Sequence, residues 1–203
     1  MKHIIFTRFL YDDTEHAQER IQIMNNTLIK CLKNQTNQNF TWALMCRPYH
    51  HDLIRSLYGK EVLFFNGSPK FKEYVTENKF IIQTRHDSDD LMCPEYVQII
   101  QDEYNSNKFR KDPFLIHFQP TINKYGTDSF YEFHMNYEKL NSTSAFISLC
   151  PQNSNKTIWD HSHTAWVGKV PTIIRNKNKR CVSATVHNLN TTTKLSHKDK
   201  LIK

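Results

Sequence analysis

Residues 3–32, HIIFTRFLYDDTEHAQERIQIMNNTLIKCL, contain a strand signal followed by a helix signal, and this order decides the fold class. The run HIIFTR (3–8) is a short apolar segment typical of a buried strand. Asp12, Asp13 and Thr14 are residues that favour the start of a helix. After them, apolar side chains recur at the spacing of one helix face, at Ala17, Ile21, Met24, Leu28 and Leu32. The segment therefore predicts a β-α unit with one buried helix face.

The same alternation continues through the first half of the chain. Strands are predicted at 40–46, 61–65 and 79–84, a short helix at 52–58, and a longer helix after Pro94. Strands that alternate with helices are typical of a parallel sheet with helices on its faces.

The second half contains mainly strand-like runs, at 114–119, 130–135, 145–150 and 180–186. The first two flank a turn at Gly126, which favours an antiparallel addition to the sheet. No repeat or low-complexity block divides the chain. We therefore expect a single α/β domain with a mixed central sheet.

Charge is distributed unevenly. The net charge is +7, but residues 169–203 hold nine basic side chains and one acidic one, which leaves 18 basic and 19 acidic side chains elsewhere. A nucleic-acid-binding domain shows basic and aromatic residues interleaved on its folded body, so we expect no nucleic-acid partner. Residues 191–203, TTTKLSHKDKLIK, lack an apolar period and are predicted to be a basic tail or linker after a domain at 1–190.

The five cysteines are odd in number and form no CxxC pair: Cys31, Cys46, Cys93, Cys150 and Cys181. This spacing fits neither a disulfide framework nor a zinc site, so we expect five reduced thiols. No stretch approaches the roughly 20 apolar residues of a membrane span, and the N-terminus lacks a signal-peptide pattern. These features predict a cytoplasmic protein without a membrane span.

The strongest chemical signal is TRHDSDDLM, residues 84–92. Asp87, Asp89 and Asp90 follow a predicted strand, and ligands of open α/β sheets bind beyond the carboxyl ends of strands. Clustered carboxylates repel one another unless a cation neutralises them, and oxygen ligands suit Mg²⁺ or Mn²⁺. The alternative is a solvated acidic turn in which Asp90 caps the next helix.

Further segments accompany this motif in a fixed order: IIFTRFL (4–10), CLKNQTNQNFTWAL (31–44), SAFISL (144–149), TIWDHSH (157–163) and VSATVHNLN (182–190). Together with TRHDSDDLM they resemble the rhamnosyltransferase family, a family of nucleotide-sugar glycosyltransferases. The resemblance implies a GT-A fold, with a Rossmann-like N-terminal half for the nucleotide and a mixed half for the acceptor. It also implies a metal-dependent hexosyltransferase with a DxD motif, a UDP- or dTDP-sugar donor and a glycan acceptor.

The resemblance further implies a role for individual residues. Asp87 and Asp89 would hold Mn²⁺ or Mg²⁺, with Asp87 also near the ribose, and a late histidine, His187, would complete the metal site. The nucleotide and its phosphates would be contacted by Thr7, Arg8, Arg85 and Asp87. Where many relatives have an acidic residue after the second strand, this chain has Cys46-Arg47-Pro48, so the nucleobase is not assigned.

A second polar concentration contains Asp160, His161 and His163 between Trp159 and Trp166. Tryptophan faces stack on sugar rings, and a nearby carboxylate or imidazole can accept the proton of an acceptor hydroxyl. Asp160 and His163 are therefore the candidate catalytic residues. The alternative is that both tryptophans belong to the core and the histidines are exposed.

Three other function classes compete with the glycosyltransferase prediction. A metal-dependent nucleotidyltransferase could use the same carboxylates, but it would normally have an early glycine-rich phosphate loop, and the chain has only four glycines. A nucleic-acid-binding module conflicts with the terminal position of the basic excess. A non-catalytic sugar-binding relative would have lost the acidic cluster, which is intact.

Overall fold

The computed structural model describes residues 1–9, 14–128, 130–132, 144–162, 165–176, 181–187 and 200–201. Its helices are α1 (Thr14–Met24), α2 (Lys30–Lys33), α3 (His51–Tyr58), α4 (Ser68–Glu77) and α5 (Tyr96–Asn107). Its strands are β1 (His3–Phe9), β2 (Thr41–Cys46), β3 (Leu63–Phe65), β4 (Ile82–Arg85), β5 (Leu91–Met92), β6 (Phe114–Phe118), β7 (Thr121–Lys124), β8 (Phe130–Glu132), β9 (Ile147–Cys150), β10 (Thr172–Asn176), β11 (Val182–Val186) and β12 (Lys200–Leu201).

Seven strands form a mixed central sheet in the order β10-β6-β9-β4-β1-β2-β3. β1 pairs in parallel with β2 and β4, and β2 pairs in parallel with β3. β9 is antiparallel to both of its neighbours, β4 and β6, while β10 is parallel to β6. The predicted fold class, α/β with a mixed central sheet, is therefore confirmed.

Alternate residues of β1 reach opposite faces of this sheet, and both faces are covered. Ile5 and Phe9 belong to one apolar cluster, together with Met24 and Leu28 from the first helical segment. Ile4 and Phe6 belong to a second cluster, which includes Phe71 and Val75 of α4. A strand that is buried on both faces reads as a continuous apolar run, as HIIFTR does.

The predicted apolar helix face is confirmed. Its members, Ala17, Ile21, Met24, Leu28 and Leu32, are at most 4% exposed. The segment is not one uniform helix, because a π-helical turn at Asn25–Ile29 joins α1 to α2.

A second sheet, in the order β12-β8-β7-β11-β5, was not predicted. We expected the run 114–119 to be the strand before the turn at Gly126 and to pair with 130–135. Instead, β7 is the strand that pairs with β8 around this turn, and β6 lies in the central sheet. Two residues of the predicted tail, Lys200–Leu201, pair with β8. The other residues of the predicted tail, 191–199 and 202–203, lie outside the described residues. The domain boundary at residue 190 therefore remains a prediction.

The sequence patterns also missed α4, β5, β7 and β10. The sequence favours a turn at Asn66-Gly67-Ser68 after the predicted strand 61–65, but α4 begins there: Gly67, with φ +140°, directly precedes it, and Pro69 lies in its first turn. Proline in the first helical turn is favourable, because its missing N–H has no partner within the helix there. Strands of two to five residues carry too few side chains for a period-two pattern to stand out.

The expectation of five reduced cysteines is wrong for two of them. Cys93 and Cys181 form a disulfide, while Cys31, Cys46 and Cys150 are free. The bond joins the residue after β5 to the residue before β11, and these two strands also pair with each other. The cysteine argument for an intracellular location therefore no longer holds. In the described part of the chain, no helix is long and apolar enough to cross a membrane.

Candidate functional site

The carboxyl ends of β1, β2 and β4 meet at one edge of the central sheet. The chain moves from β1 to β2 and β3 on one side of β1, and then crosses to β4 on its other side. Such a reversal of strand order leaves a crevice beyond the carboxyl ends, which is where open α/β sheets bind ligands. The loop with Asp87, Asp89 and Asp90 directly follows β4, so it lies at this crevice.

Asp89, His187 and Arg20 meet at this loop. Asp89 Oδ2 lies 3.0 Å from His187 Nε2 and 3.0 Å from Arg20 Nη1. Arg20 Nη1 lies 2.9 Å from the same imidazole nitrogen, so the three atoms form a nearly equilateral triangle. The side chains are 17%, 1% and 7% exposed, respectively. We call this cluster the Arg20–Asp89–His187 triangle.

The electrostatics of the triangle favour an ionised Asp89. Burial alone would raise the pKa of Asp89, but the hydrogen bond with His187 and the charge of Arg20 outweigh it and lower the pKa. His187 Nε2 carries either a proton or a lone pair, so it either donates to Asp89 or accepts from Arg20.

Asp90 connects this loop to the strand that leads to His187. Its Oδ1 accepts a hydrogen bond from the backbone N–H of Thr185 in β11, at 2.9 Å, and the residue is 7% exposed. Asp90 therefore does not cap the following helix, contrary to one of the two readings of the sequence. Burial and the neighbouring charges of Asp89 and Asp87 raise the pKa of Asp90 well above its usual range. The bond to Thr185 joins the Asp87–Asp90 loop to β11, the strand that directly precedes His187.

Asp87 has a different partner. Its Oδ1 lies 3.6 Å from Arg85 Nε, and its side chain is 38% exposed. The Arg85 guanidinium lies over the ring of Trp159, 4.4 Å from the ring centre. Arg85 Nε is buried and has no hydrogen-bond partner among the described residues. Arg85 and Asp87 thus form a second polar pair at the same edge.

The two candidates on β1 point in opposite directions. Thr7 is fully buried, and its Oγ1 accepts a hydrogen bond from Trp42 Nε1 at 3.2 Å. Arg8 is the one exposed residue of β1. The structure therefore places the Thr7 side chain in the core and leaves Arg8 accessible.

Asp160 is held by neighbouring groups. Its carboxylate accepts hydrogen bonds from the Thr157 backbone N–H at 2.7 Å and the Thr157 hydroxyl at 2.9 Å, and it pairs with Lys72 Nζ at 2.9 Å. Burial alone would raise the pKa of Asp160, but these contacts with Thr157 and Lys72 lower it overall. A carboxylate with a lowered pKa is a weaker general base. Its proposed partner in catalysis, His163, lies outside the described residues.

The aromatic and imidazole rings of this region divide between core and surface. Trp166 is fully buried, and Trp159 packs edge-on against Phe6. His161 is partly exposed and contacts the Trp166 ring. Trp166 therefore belongs to the core, whereas Trp159 lies against Arg85 of the Arg85–Asp87 pair.

We expect Asp160→Asn to lower the free energy of unfolding by at most about 1 kcal/mol at pH 7, because Asp160 is an exposed residue and solvent screens its contacts with Thr157 and Lys72. Since the pKa of Asp160 in the folded protein lies below that of an ordinary aspartate, this stabilisation is present above the ordinary pKa and is lost as pH falls through the folded pKa. Urea denaturation of the wild type and of Asp160→Asn at pH 7 and pH 3 should show a smaller difference in the free energy of unfolding at pH 3. An equal difference at both pH values would contradict the assigned ion pair.

The hydrogen-bond distance between two of the predicted metal ligands, Asp89 and His187, is also compatible with both atoms binding one divalent ion. Ligands about 2.0–2.1 Å from an octahedral Mg²⁺ lie about 2.9–3.0 Å from their neighbours, and Asp89 Oδ2 and His187 Nε2 are 3.0 Å apart. Within the described ranges, no group of three or more His, Cys, Asp or Glu side chains is arranged to hold a metal. Mg²⁺ often takes its other ligands from water and substrate phosphates, so two protein ligands fit such a site.

Sequence reasoning missed Arg20, although a signal was present. Arg20 lies three residues after Ala17 and four before Met24, so it interrupts the apolar helix face. A charged side chain on a buried helix face needs a partner of opposite charge. Asp89 is that partner, but it lies 69 positions away in the chain, and only the folded structure identifies it.

No protein-family model matches this chain, and no curated protein matches it. Solved structures do match. The structure of S. aureus TarS 1-349 in complex with UDP-GlcNAc superposes with a TM-score of 0.62 and 12% identity, covering 97% of this chain and 62% of that one. S. aureus TarS 1-349 alone gives a TM-score of 0.57 and 15% identity, covering 91% and 60%.

A cytidylyltransferase from Leptospira borgpetersenii also matches, with a TM-score of 0.54 and 13% identity, covering 89% of this chain and 77% of that one. This chain spans about 62% of the TarS structure it matches. At these identities the similarity shows the fold alone. The protein therefore has a GT-A-like α/β fold, built on a mixed central sheet of seven strands.

Proposed function

We propose that the protein is a metal-dependent glycosyltransferase that uses a nucleotide-diphosphate sugar. The observation that carries this proposal is the meeting of Asp89 and His187 at 3.0 Å, beside the crevice where the strand order reverses. The resemblance of TRHDSDDLM to a transferase motif supports it. The fold shared with S. aureus TarS, whose structure was solved with UDP-GlcNAc, also supports it.

The proposed reaction forms a bond between an acceptor hydroxyl oxygen and the anomeric carbon of the donor sugar. The bond from that carbon to the terminal phosphate oxygen breaks, the nucleoside diphosphate leaves with the electron pair, and the hydroxyl proton passes to a base. When bound, a divalent ion would supply neutralisation of the negative charge on the departing diphosphate. Asp89 and His187 would hold that ion, and the assignment of Asp160 or His163 as the base remains a prediction.

Arg85 and Asp87 would act on the donor directly. The Arg85 guanidinium is oriented by Trp159, and its buried Nε lacks a hydrogen-bond partner in the described part of the chain. A phosphate oxygen would satisfy that donor, and guanidinium groups bind phosphate strongly. The Asp87 carboxylate is more exposed than that of Asp89. This exposure suits contact with a ribose or a metal at the crevice.

The proposed donor is a UDP- or dTDP-sugar, with rhamnose as the sugar that the family resemblance suggests and a glycan as the acceptor. Calorimetry with UDP and with dTDP, in Mn²⁺ and in EDTA, tests the proposal. We expect micromolar binding of one nucleotide in Mn²⁺ and at least tenfold weaker binding in EDTA. Absence of binding to both nucleotides in Mn²⁺ would refute the proposal.

The fold shared with a cytidylyltransferase supports a second candidate function, transfer of a nucleotide from a nucleoside triphosphate. Such an enzyme would release pyrophosphate from CTP in the presence of a sugar phosphate. Pyrophosphate release without any binding of UDP or dTDP would favour this candidate.

A further inference from the structure

Arg20 supplies a positive charge to the two atoms that we propose as metal ligands. Its Nη1 lies 3.0 Å from Asp89 Oδ2 and 2.9 Å from His187 Nε2, and its side chain is 7% exposed. A guanidinium only donates hydrogen bonds. Asp89 Oδ2 is therefore an acceptor toward Arg20, and in the neutral tautomer that leaves Nε2 without a proton, in place of the hydrogen bond to Asp89, His187 Nε2 is a second acceptor.

A divalent ion would use lone pairs of the same two atoms. An ion about 2.1 Å from both ligand atoms, on the side of Arg20 and in the plane of the triangle, would lie about 1 Å from Arg20 Nη1. Two cations cannot occupy positions this close. Binding of the ion from this side therefore requires Arg20 to leave the triangle.

We propose that Arg20 is a positioning residue that occupies the cation position between Asp89 and His187, and that a divalent metal binds there by displacing its guanidinium. This inference rests on the proposed function, because it takes Asp89 and His187 as the metal ligands. In this position Arg20 neutralises the buried Asp89 carboxylate and holds it next to His187. The same contact lowers the affinity for the metal, because the ion has to compete with a bound cation.

The test is Mn²⁺ binding to the nucleotide-free protein, measured by calorimetry. We expect Arg20→Met, which keeps an unbranched side chain and removes the charge, to bind Mn²⁺ at least about tenfold more tightly than the wild type. The same variant should melt at a lower temperature than the wild type in EDTA, because Asp89 loses its counter-ion. Added Mn²⁺ should restore more of the melting temperature in the variant than in the wild type.

Three control variants accompany this experiment. Arg20→Gln is a second neutral replacement, in case Arg20→Met does not fold, and it should also bind Mn²⁺ more tightly. Arg20→Lys keeps a cation and should bind Mn²⁺ close to the wild-type affinity. Arg55→Met removes a charge from the surface pair with Asp52, whose side chain is 99% exposed, and should change neither measurement.

Equal or weaker Mn²⁺ binding by the neutral Arg20 variants would overturn the inference, and so would the absence of Mn²⁺ binding to every variant. The proposed function is judged separately from nucleotide binding. If UDP or dTDP binds while Arg20→Met leaves Mn²⁺ affinity unchanged, the inference fails and a nucleotide-binding transferase stands. If Mn²⁺ binds as expected but neither nucleotide does, the proposed function fails and the role of Arg20 stands.

Discussion

Asp89→Asn should reduce sugar transfer on the order of 10²–10³-fold, because stabilisation of charge that develops on the leaving group is commonly worth this factor. Asparagine keeps the size of the side chain and one acceptor oxygen, but it loses the negative charge that would bind a metal. The Asn oxygen can still accept a hydrogen bond from Arg20, so we expect the protein to stay folded. Donor turnover in Mn²⁺ measures the loss of transfer, and circular dichroism on the same preparation checks that the variant stays folded.

The matched control is Asp112→Asn, an exposed carboxylate outside the crevice, which should keep wild-type turnover. Because the metal role is a proposal, the comparison in EDTA matters as much as the mutation. Full wild-type turnover in EDTA, or unchanged turnover of Asp89→Asn, would remove the metal assignment. Loss of the folded signal in Asp89→Asn would instead show that the triangle serves mainly to neutralise Arg20.

Loss of the disulfide should have the largest effect on stability. Cys93 and Cys181 are separated by 88 positions, and a cross-link that closes a loop of this length stabilises a protein by about 4–5 kcal/mol in the chain-entropy model. We therefore expect Cys93→Ser to lower the free energy of unfolding by several kcal/mol. Urea denaturation of the variant, and of the wild type with and without dithiothreitol, measures the effect.

Reduced wild-type protein should behave like Cys93→Ser, and Cys31→Ala, which removes a free thiol, should still be destabilised by dithiothreitol. Titration of thiols in urea offers an independent check. Without reductant, three thiols should react, corresponding to Cys31, Cys46 and Cys150. Reaction of all five would contradict the disulfide.

The elements that could be predicted from the sequence are the ones with long or dense apolar patterns. The helix face from Ala17 to Leu32 was predicted because five apolar residues repeat over four turns. The strand His3–Phe9 was predicted because burial on both faces makes it continuously apolar. Two strands of the second sheet, β8 and β11, fall in predicted runs, but their assignment to a separate sheet was missed because strand pairing is not encoded locally; β5, which lies between the Asp87–Asp90 loop and α5, has only two residues.

For the candidate site, the sequence indicated which residues lie at the ligand-binding edge, but it did not indicate which side chains they contact. Asp87 and Asp89 were selected because they follow a strand, which places them at a ligand-binding edge in this fold class. His187 was selected through the family resemblance, and the structure places it against Asp89. For Asp90 the sequence offered a helix cap as one alternative, because a carboxylate before a helix is a common cap, whereas its actual partner, Thr185, is 95 positions away.

The sequence by itself determined the alternation of strands and helices, the buried face of the first helix and the acidic loop after β4, because these depend on local periodicity and on residues close together in the chain. Only the tertiary structure decided that Cys93 bonds Cys181 and that Arg20, Asp89 and His187 meet in one triangle. The physical reason is that partners of buried charges and thiols are chosen by how the strands pair in space. β5 beside β11, held by Asp90 and Thr185, brings together groups that no local pattern connects.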